Sequence, residues 1–255
     1  MAKYQWNLRD GLDALVGTGG IAITCAFSPL LKSWYHTWGT TSTETVRTLP
    51  GDDLVPSPAI VATRAITILA APSYIWPLLL QLGLRRGGWY SYDALEAIAG
   101  AADFTEGHSS RRIVPELQDL KIGDRIWMHD RILPLTVTAM EPERFLVFLT
   151  RVDIRTKSYF ELDNGLPERF VNSSWAFFLE SPEKETTRLL VRSRLDYSPN
   201  LINDIAWRVF TDPISFIMER KMLLTLKRIA ETSQKMEPGG FEPPTSCLQS
   251  RRSPE

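Results

Sequence analysis

The chain has 255 residues, 44% of them hydrophobic and 23% charged, with a formal net charge of −1. That is enough apolar mass for a core, too little charge for overall disorder, and no field to steer a polyanion, so nucleic acid is excluded as a partner. The two cysteines, Cys25 and Cys247, have neither a metal-type spacing nor a neighbouring partner, which argues against a disulfide framework and a structural zinc.

Four zones follow in chain order. Residues 1–33 contain the uncharged run from Ala14 to Leu31, about the length of a bilayer span but diluted by Gly17, Gly19, Gly20 and Pro29. It reads either as a single membrane-anchoring helix or as a glycine-broken helix folded onto the domain. The expected location is accordingly cytoplasmic, or membrane-anchored through this segment. A secretory signal does not fit, since a clean positive start and a small-residue cleavage site are missing. Residues 34–60 form a polar connector in which Pro50, Pro56 and Pro58 forbid regular helix or central strand. Leu49, Leu54 and Val55 are placed to tack this strap to the domain.

Residues 61–236 carry the folded domain. Val61 to Leu69 alternates and is β-branched, as a strand should be, with Ala62, Arg64, Ile66 and Ile68 on one face. Ala71 to Leu82 predicts helix, with Pro72 tolerated in the first turn and Pro77 requiring a break or a later start. Tyr92 to Ile98 predicts a second short helix. Strands follow at 123–128, 133–140, 145–150, 174–179 and 187–194. Arg188, Leu190, Arg192 and Arg194 share one face of the last, and Leu189, Val191 and Ser193 the other, the one-wet, one-dry pattern of an antiparallel sheet. Asp212 and Pro213 open a long helix to about Gln234, whose apolar arc is wide enough to be clasped by a concave surface. Residues 237–255 are rich in Pro, Gly, Ser and Arg without periodicity. They read as a disordered tail, similar to sequences that arise by read-through of non-coding regions, and are assigned no function.

Strand, two helices, a run of antiparallel strands and a long C-terminal helix make an α+β helix-grip layout. Trp38-Gly-Thr-Thr, Leu49-Pro-Gly-Asp-Asp-Leu-Val-Pro56, Ala62-Thr-Arg-Ala-Ile-Thr-Ile68 and Gly87-Gly-Trp-Tyr-Ser-Tyr-Asp93 resemble an uncharacterised bacterial branch of the SRPBCC superfamily, which includes START lipid-transfer domains, pollen allergens and polyketide cyclases. Ile113-Val-Pro-Glu-Leu-Gln118, Ser174-Trp-Ala-Phe177 and Met218-Glu-Arg-Lys-Met-Leu-Leu224 extend the resemblance over about residues 34–232. It implies a curved antiparallel sheet around a C-terminal helix and a cavity between them that binds an apolar ligand.

The candidate ligand-binding residues are Trp76, Trp89, Tyr90, Tyr92, Asp93, Arg64, Met218 and Met222. Tyr and Trp combine an apolar body with a polar edge, which suits a pocket wall as well as plain core packing. Gly87 and Gly88 form either a tight turn or a backbone approach to a ligand. Arg64 is either a surface charge or, if its face points inward, a group that needs an acidic partner or an anionic ligand. No His pair has ligand spacing, and neither a phosphate loop nor a dinucleotide fingerprint occurs, so no metal or cofactor is expected. No catalytic residue is assigned. Three functions stay open: binding a small apolar or lipid-like molecule, cyclase- or dehydratase-like chemistry through Tyr90, Tyr92, Asp93 and His108, and protein interaction at a membrane.

Overall fold

The structure is a computed structural model that describes residues 8–101, 107–132 and 134–236. The expectations for the tail 237–255, Cys247 included, and for Leu133 as a strand residue lie outside them.

Helix α1 (Leu8–Ala26) and helix α2 (Ser28–His36) meet at Phe27, where Pro29 in the first turn of α2 starts a new helix in a new direction. The two axes are bent by 112°. The run from Ala14 to Leu31 is therefore not one helix. No single helix among the described residues is long and apolar enough to cross a membrane. The connector follows, with helix α3 (Ser42–Val46) capped at both ends of its first turn: Thr41 Oγ1 accepts from Glu44 N and Glu44 Oε2 from Thr41 N.

Strand β1 (Ile60–Ile68) leads into α4 (Pro72–Leu80) and α5 (Asp93–Ala99). Helix α4 is continuous and contains both Pro72 and Pro77. At nine residues it loses a single ladder bond to Pro77, which is why the expected break is unnecessary. Strands β2 (Arg125–Ile126), β3 (Leu135–Glu141), β4 (Phe145–Asp153), β5 (Ser158–Tyr159), β6 (Phe170–Glu183) and β7 (Thr186–Tyr197) complete an antiparallel sheet in the order β1-β7-β6-β4-β3-β2, with β5 on β4. The first strand thus closes on the last, Ile60 pairing with Leu195 and Ile68 with Thr187.

The C-terminal helix begins earlier than expected. Asn200 caps α6 (Leu201–Ile205) by accepting from Asn203 N. A π-helical stretch (Ala206–Thr211) joins it to α7 (Asp212–Met236). Pro213 has no N–H to give the preceding turn, and the π stretch is where the ladder rearranges around that gap. Asp212 is consequently no solvent-facing cap but a buried residue.

Both faces of the sheet are covered. On the concave face Leu146, Phe148, Phe177, Leu189 and Val191 pack against Met222, Leu223, Leu226 and Ala230 of α7, a stripe at helical spacing. The helix is apolar beyond that stripe because a second element reaches it: Ile217 lies against Gly20 of α1. On the convex face Ala65, Val147, Ala176, Phe178 and Leu190 pack with Leu49 and Leu54 of the strap. The face expected to be wet is therefore largely roofed. The order of elements, the curved antiparallel sheet and the long helix lying in it make this a helix-grip fold.

Candidate functional site

In the space between sheet and helix, where a ligand cavity was expected, buried side chains from both sides meet. Trp76, Trp89 and Met222 lie there, each buried. Trp89 packs on Trp175 with ring centres 5.8 Å apart, and Trp175 on Phe177 at 4.8 Å. Tyr90 is buried in the same cluster, at φ +57°, with its hydroxyl accepting from Gln81 Nε2 at 2.5 Å. Gly88, at φ +88°, has no room for a side chain, since a Cβ would sit 2.6 Å from Ser109 Oγ. The Ser110 amide donates to the Gly87 carbonyl at 2.7 Å. The two glycines thus admit the 107–112 loop rather than open space.

Arg64 points inward. Its strand face carries it under α7, where it is 2% exposed, and Nη1 meets Glu219 Oε1 at 2.9 Å. Nε donates to the Tyr35 carbonyl, and the guanidinium lies 5.2 Å from the centre of the Phe216 ring. Nη2 stands 3.9 Å from Asp212 Oδ1. Asp212 Oδ2 in turn meets His36 Nε2 at 2.6 Å and accepts from the Tyr35 hydroxyl at 3.3 Å. The second oxygen of Glu219 accepts from Trp175 Nε1. Two carboxylates and a carbonyl offset the desolvation of the buried cation in part, with Nη2 left without a hydrogen bond, and the cluster ties β1, α2 and α7 together. The acidic partner that an inward Arg64 requires is Glu219.

Tyr92 and Asp93 sit at the start of α5, beneath α1. A Cβ on Gly17 of α1 would fall 2.8 Å from Leu95 and 3.1 Å from the Tyr92 ring. Burial pushes the Tyr92 hydroxyl above its usual range. Asp93 Oδ1 accepts from Ser109 Oγ at 2.5 Å and Oδ2 from the Ser109 amide at 2.8 Å. Burial nonetheless raises its carboxyl, and burial followed by the Asp93 charge raises Glu96 well above the carboxylate range. Met218, on α7, takes the Ser91 hydroxyl at its carbonyl. His108 is exposed, with Nδ1 3.0 Å from the Ser109 carbonyl. Asp93, His108 and the Tyr90 amide thus all meet Ser109, while the Tyr90 hydroxyl is bonded to Gln81 and the Tyr92 ring lies against α1. Among the described residues no group of three or more His, Cys, Asp or Glu is placed to hold a metal ion.

Two shallow, open concavities lie outside the grip. One, of about 400 Å³, runs between the strap and the β3–β4 turn and includes Leu49, Pro50, Glu143, Arg144 and Phe145. The other, of about 540 Å³, lies between α1, α2 and α7 and is lined by Gly20, Ile23, Thr24, Leu31, Trp34 and Ile217. Its lining is apolar, and the one hydroxyl, Thr24 Oγ1, turns back to the Gly20 carbonyl at 2.7 Å. The sequence reading missed this groove because its six residues come from three helices. The signal present was the glycine set of α1, where a bare backbone allows helices to approach.

The chain matches no protein-family model and no curated protein. Among solved structures it resembles a conserved protein from Geobacillus kaustophilus, at 11% identity and a TM-score of 0.37, over 68% of this chain and 97% of that one. Norcoclaurine synthase from Thalictrum flavum follows at 10% identity and a TM-score of 0.35, over 66% and 93%. The Zhui aromatase/cyclase from Streptomyces sp. R1128 gives 9% and 0.31, over 69% and 95%. Likeness this distant carries no inference about activity.

Proposed function

We propose that this chain binds a small apolar or lipid-like molecule and holds it in the groove between α1, α2 and α7. The lining of that groove carries the reading: about 540 Å³ walled by Ile23, Leu31, Trp34 and Ile217, with its single hydroxyl already bonded. The volume falls in the range of small-molecule sites, and such a wall rewards hydrocarbon and penalises polar groups. Binding is preferred to catalysis because Tyr90 and Asp93 are committed to Gln81 and Ser109. Distant membership of the SRPBCC superfamily belongs to the same proposal, supported by strand order and the long helix.

The test is titration of the purified full-length chain with N-phenyl-1-naphthylamine, alongside native mass spectrometry for co-purified apolar material. Ile217→Lys places a charge in the groove wall and is expected to weaken probe binding by about tenfold or more while the protein still melts cooperatively. Unchanged binding by Ile217→Lys would show that the probe sits elsewhere.

A further inference from the structure

We infer that the α1–α2 elbow is a lipid-facing surface by which the protein rests on a bilayer without crossing it. The inference does not require the groove to be occupied and draws on the exposed apolar side chains of the same helices, which continue from its rim. Leu15 is 71% exposed, Val16 66%, Phe27 52% and Leu30 81%. Between Asp13 and Lys32 the exposed positions are all apolar or small except Thr18, while Thr24 and Ser28 are buried. Ser28 Oγ donates to the Arg208 carbonyl, which brings the elbow against the π-helical stretch, where Phe210 is again half exposed.

A protein partner is matched by a polar rim and about one hydrogen bond per 100–200 Å². This surface offers almost no side-chain donors or acceptors, because its backbone is spent inside the helices. Hydrocarbon is the medium that asks for none. Taken together α1 and α2 have the length and hydropathy of a bilayer span, but neither helix alone is long and apolar enough to cross, and the 112° bend gives the pair a shape that suits lying along the interface. The charges at its ends agree. Asp13, the acid nearest the elbow, is neutralised by Lys221 at 3.0 Å, and Lys32 stands at the other end. The edge thus presents a cation and a neutralised acid to phosphate headgroups.

Flotation of the full-length protein with phosphatidylcholine vesicles, alone and mixed with phosphatidylglycerol, tests this. The protein is expected to float with both, more strongly with the anionic mixture. Leu30→Asp and the pair Leu15→Asp/Phe27→Asp alter only exposed positions. Each is expected to lower the vesicle-bound fraction at least about tenfold with an unchanged melting temperature, and Leu30→Met to restore it. Ile217→Lys is expected to float as the parent does, which separates this surface from the groove. No flotation with either vesicle, flotation unaffected by the Asp variants, or a stable dimer that the same variants dissociate would each overturn the assignment.

Discussion

Two extensions precede β1, and they are fastened in opposite ways. The strap is held by charge-assisted hydrogen bonds: Arg192, 4% exposed, donates to the Glu44, Thr45 and Arg47 carbonyls, to Asp52 Oδ2 at 2.7 Å and to Thr63 Oγ1. Arg188 grips Glu44 bidentately, both contacts at 2.8 Å, and Arg47 pairs with Glu180. Helix α1 is held largely by close approach, with Gly17 on Leu95 and Tyr92, and Gly20 on Ile217, while α2 is bonded into the Arg64 cluster through Tyr35 and His36. Directional bonds fix the strap in one register over a sheet that would otherwise expose Leu190 and Phe178. Bare glycine backbones let α1 lie close while its bulky residues stay free to face outward. One extension completes the core, and the other presents a surface.

The sharpest way to break this contrast is Arg192→Met. It keeps the aliphatic stem, removes every donor, leaves three carbonyls without their cation and leaves Asp52 only the more distant Arg194 at 3.7 Å. Chemical denaturation is expected to show a loss of about 3–5 kcal/mol, and hydrogen exchange to show the strap opening while α1 stays protected. Gly17→Val comes next. Its branches would enter the Leu95 and Tyr92 side chains, costing about 1–3 kcal/mol, with faster exchange confined to α1 and α5. Equal loosening of the strap would refute the separation.

Gly19→Ala should act in the other direction. Nothing lies within 4 Å of a Cβ there, so the helix gains about 1 kcal/mol at most from the lost backbone freedom of glycine, seen as a small rise in melting temperature. Acid is the mildest probe. The Arg188 guanidinium holds the Glu44 carboxyl down to about 2 from 4.5. A depressed carboxyl stabilises the fold fully above its unfolded value, and that stabilisation fades as pH falls from about 4.5 toward about 2. Amide exchange in residues 41–46 is expected to accelerate over that window, and Glu44→Gln to abolish the pH dependence by bringing exchange at neutral pH close to the rate the parent reaches in acid.

Strands were legible where alternation met burial. Leu189 and Val191 point into the core as their spacing predicts, and Met222, Leu223, Leu226 and Ala230 make the stripe expected of a clasped helix. What escaped the sequence were contacts between distant segments. Arg64 on a strand reads as surface charge until Glu219, 155 residues away, is brought beside it by the fold. Arg192 reads as wet because nothing local says that residues 44–52 will lie across it. Strand β6 starts at Phe170, ahead of the strand expected at 174–179, since Asn172 is polar yet buried. The start of the C-terminal helix was misplaced because Asp-Pro at 212–213 carries the chemistry of a helix opening, whereas Asn200 does the capping. The candidate groove was the least legible part, as its wall exists only after three helices have packed.

The pairing of Ile60 with Leu195 has a consequence in time. Most of the domain lies between these two residues, so the loop that closes them is long and the contact forms slowly. The β6–β7 hairpin needs only its own turn and can form first. During synthesis the strap and β1 leave the ribosome long before their partner strand exists, and must wait with Ile66, Ile68 and Leu49 exposed. Arg188 and Arg192 sit on that late partner, so docking β1 and latching the strap become one kinetic event. The growing chain is most exposed to misassociation just before that event, and a truncation ending ahead of β7 should fail to refold at all.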